Sequence, residues 1–218
     1  MIKQGINKQN RYFLGSQQVT SICLGNTYIQ GKEVDVPSHT ELEYLITYKN
    51  NPVRIDTDYY LKDNTIIKAK AKWDSNSGYL AHTEDGNVVS NYFYMRYDSS
   101  VRDFYFRVYP KRSWLSDRGY FATSPHSVEF GRYKVYIDDS LKYNGDLGQI
   151  SDWSYPIILF GEQNNFKGNF NLYYFQIFEG ETLVKSFKPV IDSEGVVCLY
   201  EEVNKQYYYT SIGSFGHS

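Results

Sequence analysis

Residues 157–190 read IILFGEQNNFKGNFNLYYFQIFEGETLVKSFKPV, and residues 191–218 continue IDSEGVVCLYEEVNKQYYYTSIGSFGHS. Short apolar and aromatic runs separated by turn residues are the pattern of strands, not of helices. Leu172–Phe178 predicts a strand, Glu179-Gly180-Glu181 a tight turn and Leu183–Lys188 an antiparallel return. Pro189 has no N–H to give to a ladder and is expected to end that run. Ser193-Glu194-Gly195 predicts a second turn into Val196–Tyr200, and Tyr207–Thr210 offers one more strand. Closing strands of this kind must pair upstream, near 53–73, to bury Phe175, Ile177 and Leu199 together with Trp73.

Working back from that stretch, Thr65–Trp73 alternates cleanly. Ile67, Ala69, Ala71 and Trp73 share one face, and Lys68, Lys70 and Lys72 share the other, where they solvate the sheet and discourage edge pairing. Tyr92–Tyr97 and Phe104–Tyr109 read as an antiparallel pair across the polar loop 98–103. If Phe93, Met95, Tyr97, Phe104, Phe106 and Val108 face the core, Tyr97 must lie opposite Phe104, Met95 opposite Phe106 and Phe93 opposite Val108. The other face follows: Tyr92 meets Tyr109, Tyr94 meets Arg107 and Arg96 meets Tyr105, an outward lattice with cation–π chemistry. Val128–Asp138 reads as one long strand whose apolar parity switches at Gly131, the mark of a β-bulge. Asp138-Asp139-Ser140 turns into Leu141–Tyr143. No helix longer than two turns is required, so the fold class is all-β, an antiparallel β-sandwich.

The 218 residues suffice to bury a core. Aromatic content of 18%, with 23 Tyr and 13 Phe, favours strands. The 23 basic and 25 acidic side chains leave a formal charge of −2, which argues against nucleic acid as a partner. Cys23 and Cys198, far apart in sequence, build neither a disulfide framework nor a cysteine metal cluster. The first residues carry no apolar core of a signal peptide and no run is long enough to span a bilayer. Synthesis in the cytoplasm and no membrane insertion are the expectations. Three segments are expected: 1–31, a β-hairpin unit turning at Gly15-Ser16 and Gly25-Asn26; 32–51, a polar linker; and 52–218, the sandwich.

The closing stretch also resembles the C-terminal end of concanavalin A-like, or laminin-G-like, jelly-roll modules of bacteriophage virion proteins and bacterial surface proteins. The resemblance lies in LFG at 159–161, the hairpin YYFQIFEG…LVKSFKPV at 173–190 and the close GVVCLYEEVNKQYYYT…GSF at 195–215. Tyr44–Trp73 looks like the opening strands of the same module, and residues 1–31 resemble short attachment or trimerisation segments of phage tail and fibre proteins. The resemblance implies a jelly roll displayed on a virion as a non-enzymatic structural protein of fibre, tail or capsid. Residues 1–31 would bind other virion proteins, and homo-oligomers, trimers among them, would cover aromatic surface. The alternative it implies is a lectin-like module for host surface glycans. One fold hosts many activities, so fold follows from the likeness more firmly than function.

Direct signs of chemistry are few. His39, His82, His126 and His217 form no paired metal motif, and no nucleophile elbow is present. Glycosidase chemistry needs carboxylates spaced along one face. Glu33-Val34-Asp35 and Glu41-Leu42-Glu43 lie before the first secure strand, and Glu201-Glu202 would point to opposite faces, so glycoside hydrolysis ranks third and no enzyme is expected. No cofactor is implied. Ca2+ is the one metal considered, with Asp56 and Asp58, Asp138 and Asp139, and Glu162 with Asn164 as oxygen donors. Sugars are bound by flat aromatic faces with a few fixed polar groups. Tyr92, Tyr94, Arg96, Tyr105, Arg107 and Tyr109, rimmed by Trp114, are therefore the candidate glycan- or partner-binding residues.

Overall fold

The computed structural model describes residues 38–74, 77–83, 93–100, 103–108, 124–147, 155–160 and 168–218, and the backbone pairing of strands at 13–14, 17–18, 21–24, 27–30 and 111–116. The chain divides into two compact units, Met1–Pro37 and Ser38–Ser218. In the first, β1 (Phe13–Leu14) pairs with β2 (Gln17–Gln18), and β3 (Ser21–Leu24) pairs with β4 (Thr27–Gln30), with Ile22 opposite Ile29.

The second unit is an antiparallel β-sandwich. Its smaller sheet has six strands in the order β12 (Lys111–Ser116), β11 (Asp103–Val108), β10 (Phe93–Asp98), β9 (Gly78–Thr83), β16 (Pro156–Phe160), β7 (Arg54–Tyr60). The larger runs β15 (Ser140–Asn144), β14 (Lys134–Ile137), β13 (His126–Gly131), β8 (Thr65–Asp74), β17 (Asn169–Glu179), β18 (Thr182–Ile191), β19 (Val197–Glu201), β20 (Gln206–Tyr208). Beside β17 and β18 lie β5 (Thr40–Glu41), β6 (Leu45–Thr47) and β21 (Gly216–His217). The chain crosses between the sheets repeatedly, as in jelly rolls. The fold class expected from the sequence is the one observed.

The expected alternation of β8 sets the core. Ile67, Ala69, Ala71 and Trp73 are buried, and β17 places Phe170 opposite Trp73, Phe175 opposite Ala69 and Ile177 opposite Ile67. From the other sheet, Phe104 meets the Trp73 indole edge-on at 4.8 Å, while Phe93 and Phe106 pack on Phe130 at 5.2 and 5.3 Å. Gly78 and Gly168 let the two sheets approach, since a Cβ on Gly78 would collide with the Gly168 backbone. The β10–β11 register is the expected one, from Phe93 opposite Val108 to Tyr97 opposite Phe104.

Three expectations are corrected. Pro189 does not end its strand: β18 continues to Ile191. The Pro189 carbonyl accepts the Leu42 N–H at 3.0 Å, so the proline nitrogen faces that side too and the ladder to β19 loses no donor. Gly131 marks no bulge in one long strand. Val128 pairs with Ile137 and Phe130 with Val135 across a turn at Arg132-Tyr133, and a two-residue turn puts even residues opposite odd ones. Residues 38–51 are not linker. Leu45 and Thr47 are buried in β6, which pairs with β17 and β21, and the division of the chain falls after Pro37.

Trp73→Ala should destabilise the protein by about 3–5 kcal/mol, the usual cost of deleting a buried aromatic ring. Urea unfolding followed by circular dichroism measures it, and a loss under about 1 kcal/mol would mean that the core does not depend on this ring.

Candidate functional site

The expected Tyr/Arg lattice lies on the face of the smaller sheet away from the core. Tyr94 pairs with Arg107 and Arg96 with Tyr105. The Arg96 guanidinium stands over the rings of Tyr105, Tyr94 and Tyr79 at 4.8, 5.6 and 5.9 Å and donates to Asp98 Oδ2 at 2.9 Å. One expectation fails among the described residues: the Tyr94 and Tyr105 rings are not open to solvent. Tyr79, Tyr94 and Tyr105 are 3–6% exposed and form a small cluster of their own. Three rings engaged by one cation have that much less face to offer a sugar. Tyr92 and Tyr109 lie outside the described residues. Trp114 holds the β12 position opposite Tyr105, and its side chain is also outside them.

Tyr79 and His82 join this cluster although sequence reasoning passed them over. Three residues apart, they would point to opposite faces of a regular strand. A register shift leaves Leu80 unpaired between Tyr79, opposite Arg96, and Ala81, opposite Met95, and this bulge brings the two rings within 5.2 Å. All six residues of β9 are buried, so no polar alternation signals the strand. His82 Nε2 lies 2.8 Å from the Phe160 carbonyl oxygen. Phe160 has φ of 62°, strained for a bulky side chain, and is held by burial among Phe170 and Phe215.

A second locus lies at one end of the larger sheet, where three turns meet: Asp63-Asn64, Arg132-Tyr133 and Gly180. They enclose a cleft of about 510 Å³ lined by Asp63, Asn64, Glu129, Arg132, Tyr133 and Tyr136 among others. Arg132 is fixed from both sides, with Nη1 3.1 Å from Asp63 and Nε 3.1 Å from Asp146, and lies 5.0 Å from the Tyr133 ring centroid. Tyr133 is 54% exposed. Gly180, with φ of 61°, makes the tight turn and gives its N–H to the Asn64 carbonyl at 2.8 Å. Turn residues from three distant stretches carry no common signal in sequence.

Two of the calcium donors considered, Asp56 and Asp138, accept hydrogen bonds from backbone N–H groups. Asp56 Oδ1 accepts the Asp58 N–H at 3.0 Å, and Asp58 takes φ of 56°. Asp138 binds His126 and the Ser127 N–H, and with Asp139 forms the left-handed turn into β15. Glu162 and Asn164 lie outside the described residues, among which no group of three or more metal-binding side chains occurs. Cys198 is buried, which pushes its thiol up to about 12.

No family model and no curated protein matches this chain. Among solved structures, it is similar to a laminarinase from Flavobacterium sp. UMI-01. The likeness has 9% identity and a TM-score of 0.41, covering 62% of this chain and 77% of that one. The expectation that the chain is not an enzyme is corrected here. One fold hosts catalysts and binding modules alike, so an all-β sandwich gives no ground for excluding catalysis.

Asp98 gives the lattice a pH dependence. Burial pushes its carboxyl up, but hydrogen bonds from the Ser100 hydroxyl and N–H, then the Arg96 charge, outweigh this and hold it below its ordinary 3.8. A carboxylate depressed in the folded state stabilises above its unfolded pKa, and that stability is lost as pH falls through the folded value. The gap in melting temperature between wild type and Asp98→Asn should be full at neutral pH and close as pH drops below 3.8. A gap independent of pH would show that the ionised carboxylate plays no part.

Proposed function

We propose that the protein binds carbohydrate, and that the three-turn cleft takes the saccharide. The observation that carries this reading is the pairing of an exposed ring, Tyr133, with a fixed guanidinium and carboxylate, Arg132 and Asp63, in one cleft. Adjacent sugar hydroxyls need a donor and an acceptor side by side, and the apolar face of a pyranose stacks on an aromatic ring. Asp63 and Asp146 hold Arg132 in place, which reduces the ordering cost of binding. The buried Tyr94–Arg96–Tyr105 lattice stiffens the sheet in this reading. It remains the expected ligand face only if binding follows those rings.

A second reading concerns where the module works. The separate compact unit Met1–Pro37 supports a role for residues 1–31 in attaching the sandwich to a larger assembly. The likeness of the sequence to phage tail and fibre segments makes a virion the assembly proposed, with self-association into trimers or other closed rings. Deleting residues 1–31 should abolish incorporation into particles while leaving glycan binding intact. Incorporation of the truncated protein would end that reading.

A glycan array with the purified protein tests binding. Tyr133→Ala and Arg132→Ala should each weaken any hit by about tenfold or more, the order expected for losing a stacking ring or a charged hydrogen bond. Tyr94→Phe should leave it unchanged. Absence of binding to every glycan, or binding indifferent to both cleft substitutions, would overturn the proposal.

A further inference from the structure

His126, at the first position of β13, is buried, and both of its ring nitrogens have partners. Nδ1 lies 2.6 Å from Asp138 Oδ2 and Nε2 lies 2.9 Å from Ser124 Oγ. Asp138 is an acceptor and occupies Nδ1, so the neutral ring carries its proton there and leaves the Nε2 lone pair for the serine hydroxyl. Asp138 is itself fixed: its Oδ1 takes the Ser127 N–H at 3.0 Å and its own N–H goes to the Ser127 carbonyl at 2.9 Å. Ser124 is exposed. The order of groups is therefore an accessible hydroxyl, a buried base and an anchored carboxylate, each within hydrogen-bond reach of the next.

We infer that Ser124, His126 and Asp138 form a nucleophilic site that cleaves carboxylic esters, independent of the saccharide cleft. Ser124 Oγ attacks the ester carbonyl carbon while its proton passes to His126 Nε2. The new Oγ–C bond forms, the C–O bond to the alcohol breaks, and the alcohol leaves with the proton held on Nε2. Water then attacks the acyl-serine, giving a proton to Nε2; the Oγ–C bond breaks, the carboxylic acid departs and the proton returns to Oγ. Asp138 is a positioning residue, because it holds the tautomer and the ring orientation without touching the substrate. These three groups activate a nucleophile, which suits small esters with good leaving groups better than amides. Ser124 and His126 are separated by Pro125 alone, whose fixed φ limits the backbone freedom between them. The register of β13 with β14, which places Val128 opposite Ile137, is what brings Asp138 back to the imidazole.

A fluorophosphonate probe with peptide mapping by mass spectrometry tests this on the full chain. The expected result is one phosphonyl adduct on Ser124, absent in Ser124→Ala, whose exposed position spares the fold. The labelling rate should fall at least tenfold in His126→Gln and in Asp138→Asn. Melting temperatures of the variants separate chemistry from folding, and nitrogen-15 shifts of the imidazole should report loss of the Nδ1–H tautomer in Asp138→Asn. An initial burst of p-nitrophenol from p-nitrophenyl acetate should likewise vanish in Ser124→Ala. An unlabelled Ser124 in the wild type would overturn the inference. So would labelling at the same rate in a folded His126→Gln, since the imidazole would then only close the hairpin.

Discussion

The long pairing of β8 with β17 is the constraint on which the rest of the sandwich depends. Alanines at 69 and 71 leave room for Phe175 and Leu172 directly across, and Trp73 stands beside Phe170 at the end of the row. Large rings opposite small side chains fill the space between sheets without voids. The smaller sheet then seats Tyr97 and Phe104 on the indole. A register shift between Leu172 and Tyr174 keeps the pairing in phase. Before it the core residues of β17 are even-numbered, Phe170 and Leu172; after it they are odd, Phe175 and Ile177.

How a charge is held in this sandwich follows its burial. On the larger sheet Lys68 meets Glu129 and Lys188 meets Glu202 in partly exposed pairs, which contribute little. On the smaller sheet Arg96 and Asp98 are 11% and 13% exposed, where a charge must have its partner. Glu201, fully buried, follows the same logic: its carboxylate accepts the N–H groups of Ser186, Val203 and Asn204. That carboxylate ties the β19–β20 turn to β18. The buried polar groups of this sandwich are therefore structural joints as much as candidates for chemistry.

The hairpin of β13 and β14 ties the two candidate sites to one rigid element. Its tight turn presents Arg132 and Tyr133 to the cleft, and its open end brings His126 and Asp138 together. Both ends are anchored through β13 to β8, from Ala71 opposite His126 to Ile66 opposite Gly131. His126, carried by a strand of a packed sheet, keeps its geometry better than a residue on a loop would.

The sequence by itself determined the all-β class, the core face of β8 and the register of β10 with β11, because period-two alternation leaves one consistent choice of face and partner. It also paired Arg96 with Tyr105. Tertiary structure decided what alternation cannot report. The bulge at Leu80 turned Tyr79 and His82 to one face, and burial covered the Tyr94 and Tyr105 rings that the sequence left open. Pro189 stayed in its strand because its carbonyl, and hence its nitrogen, faces Leu42. The parity switch at Gly131 fits a bulge and a hairpin equally well on paper, and only the pairing of Val128 with Ile137 resolves it. That same pairing brings Asp138 to His126 across twelve residues, and the meeting of three remote turns makes the cleft. Local pattern fixes which way a side chain points; only the fold fixes what it meets.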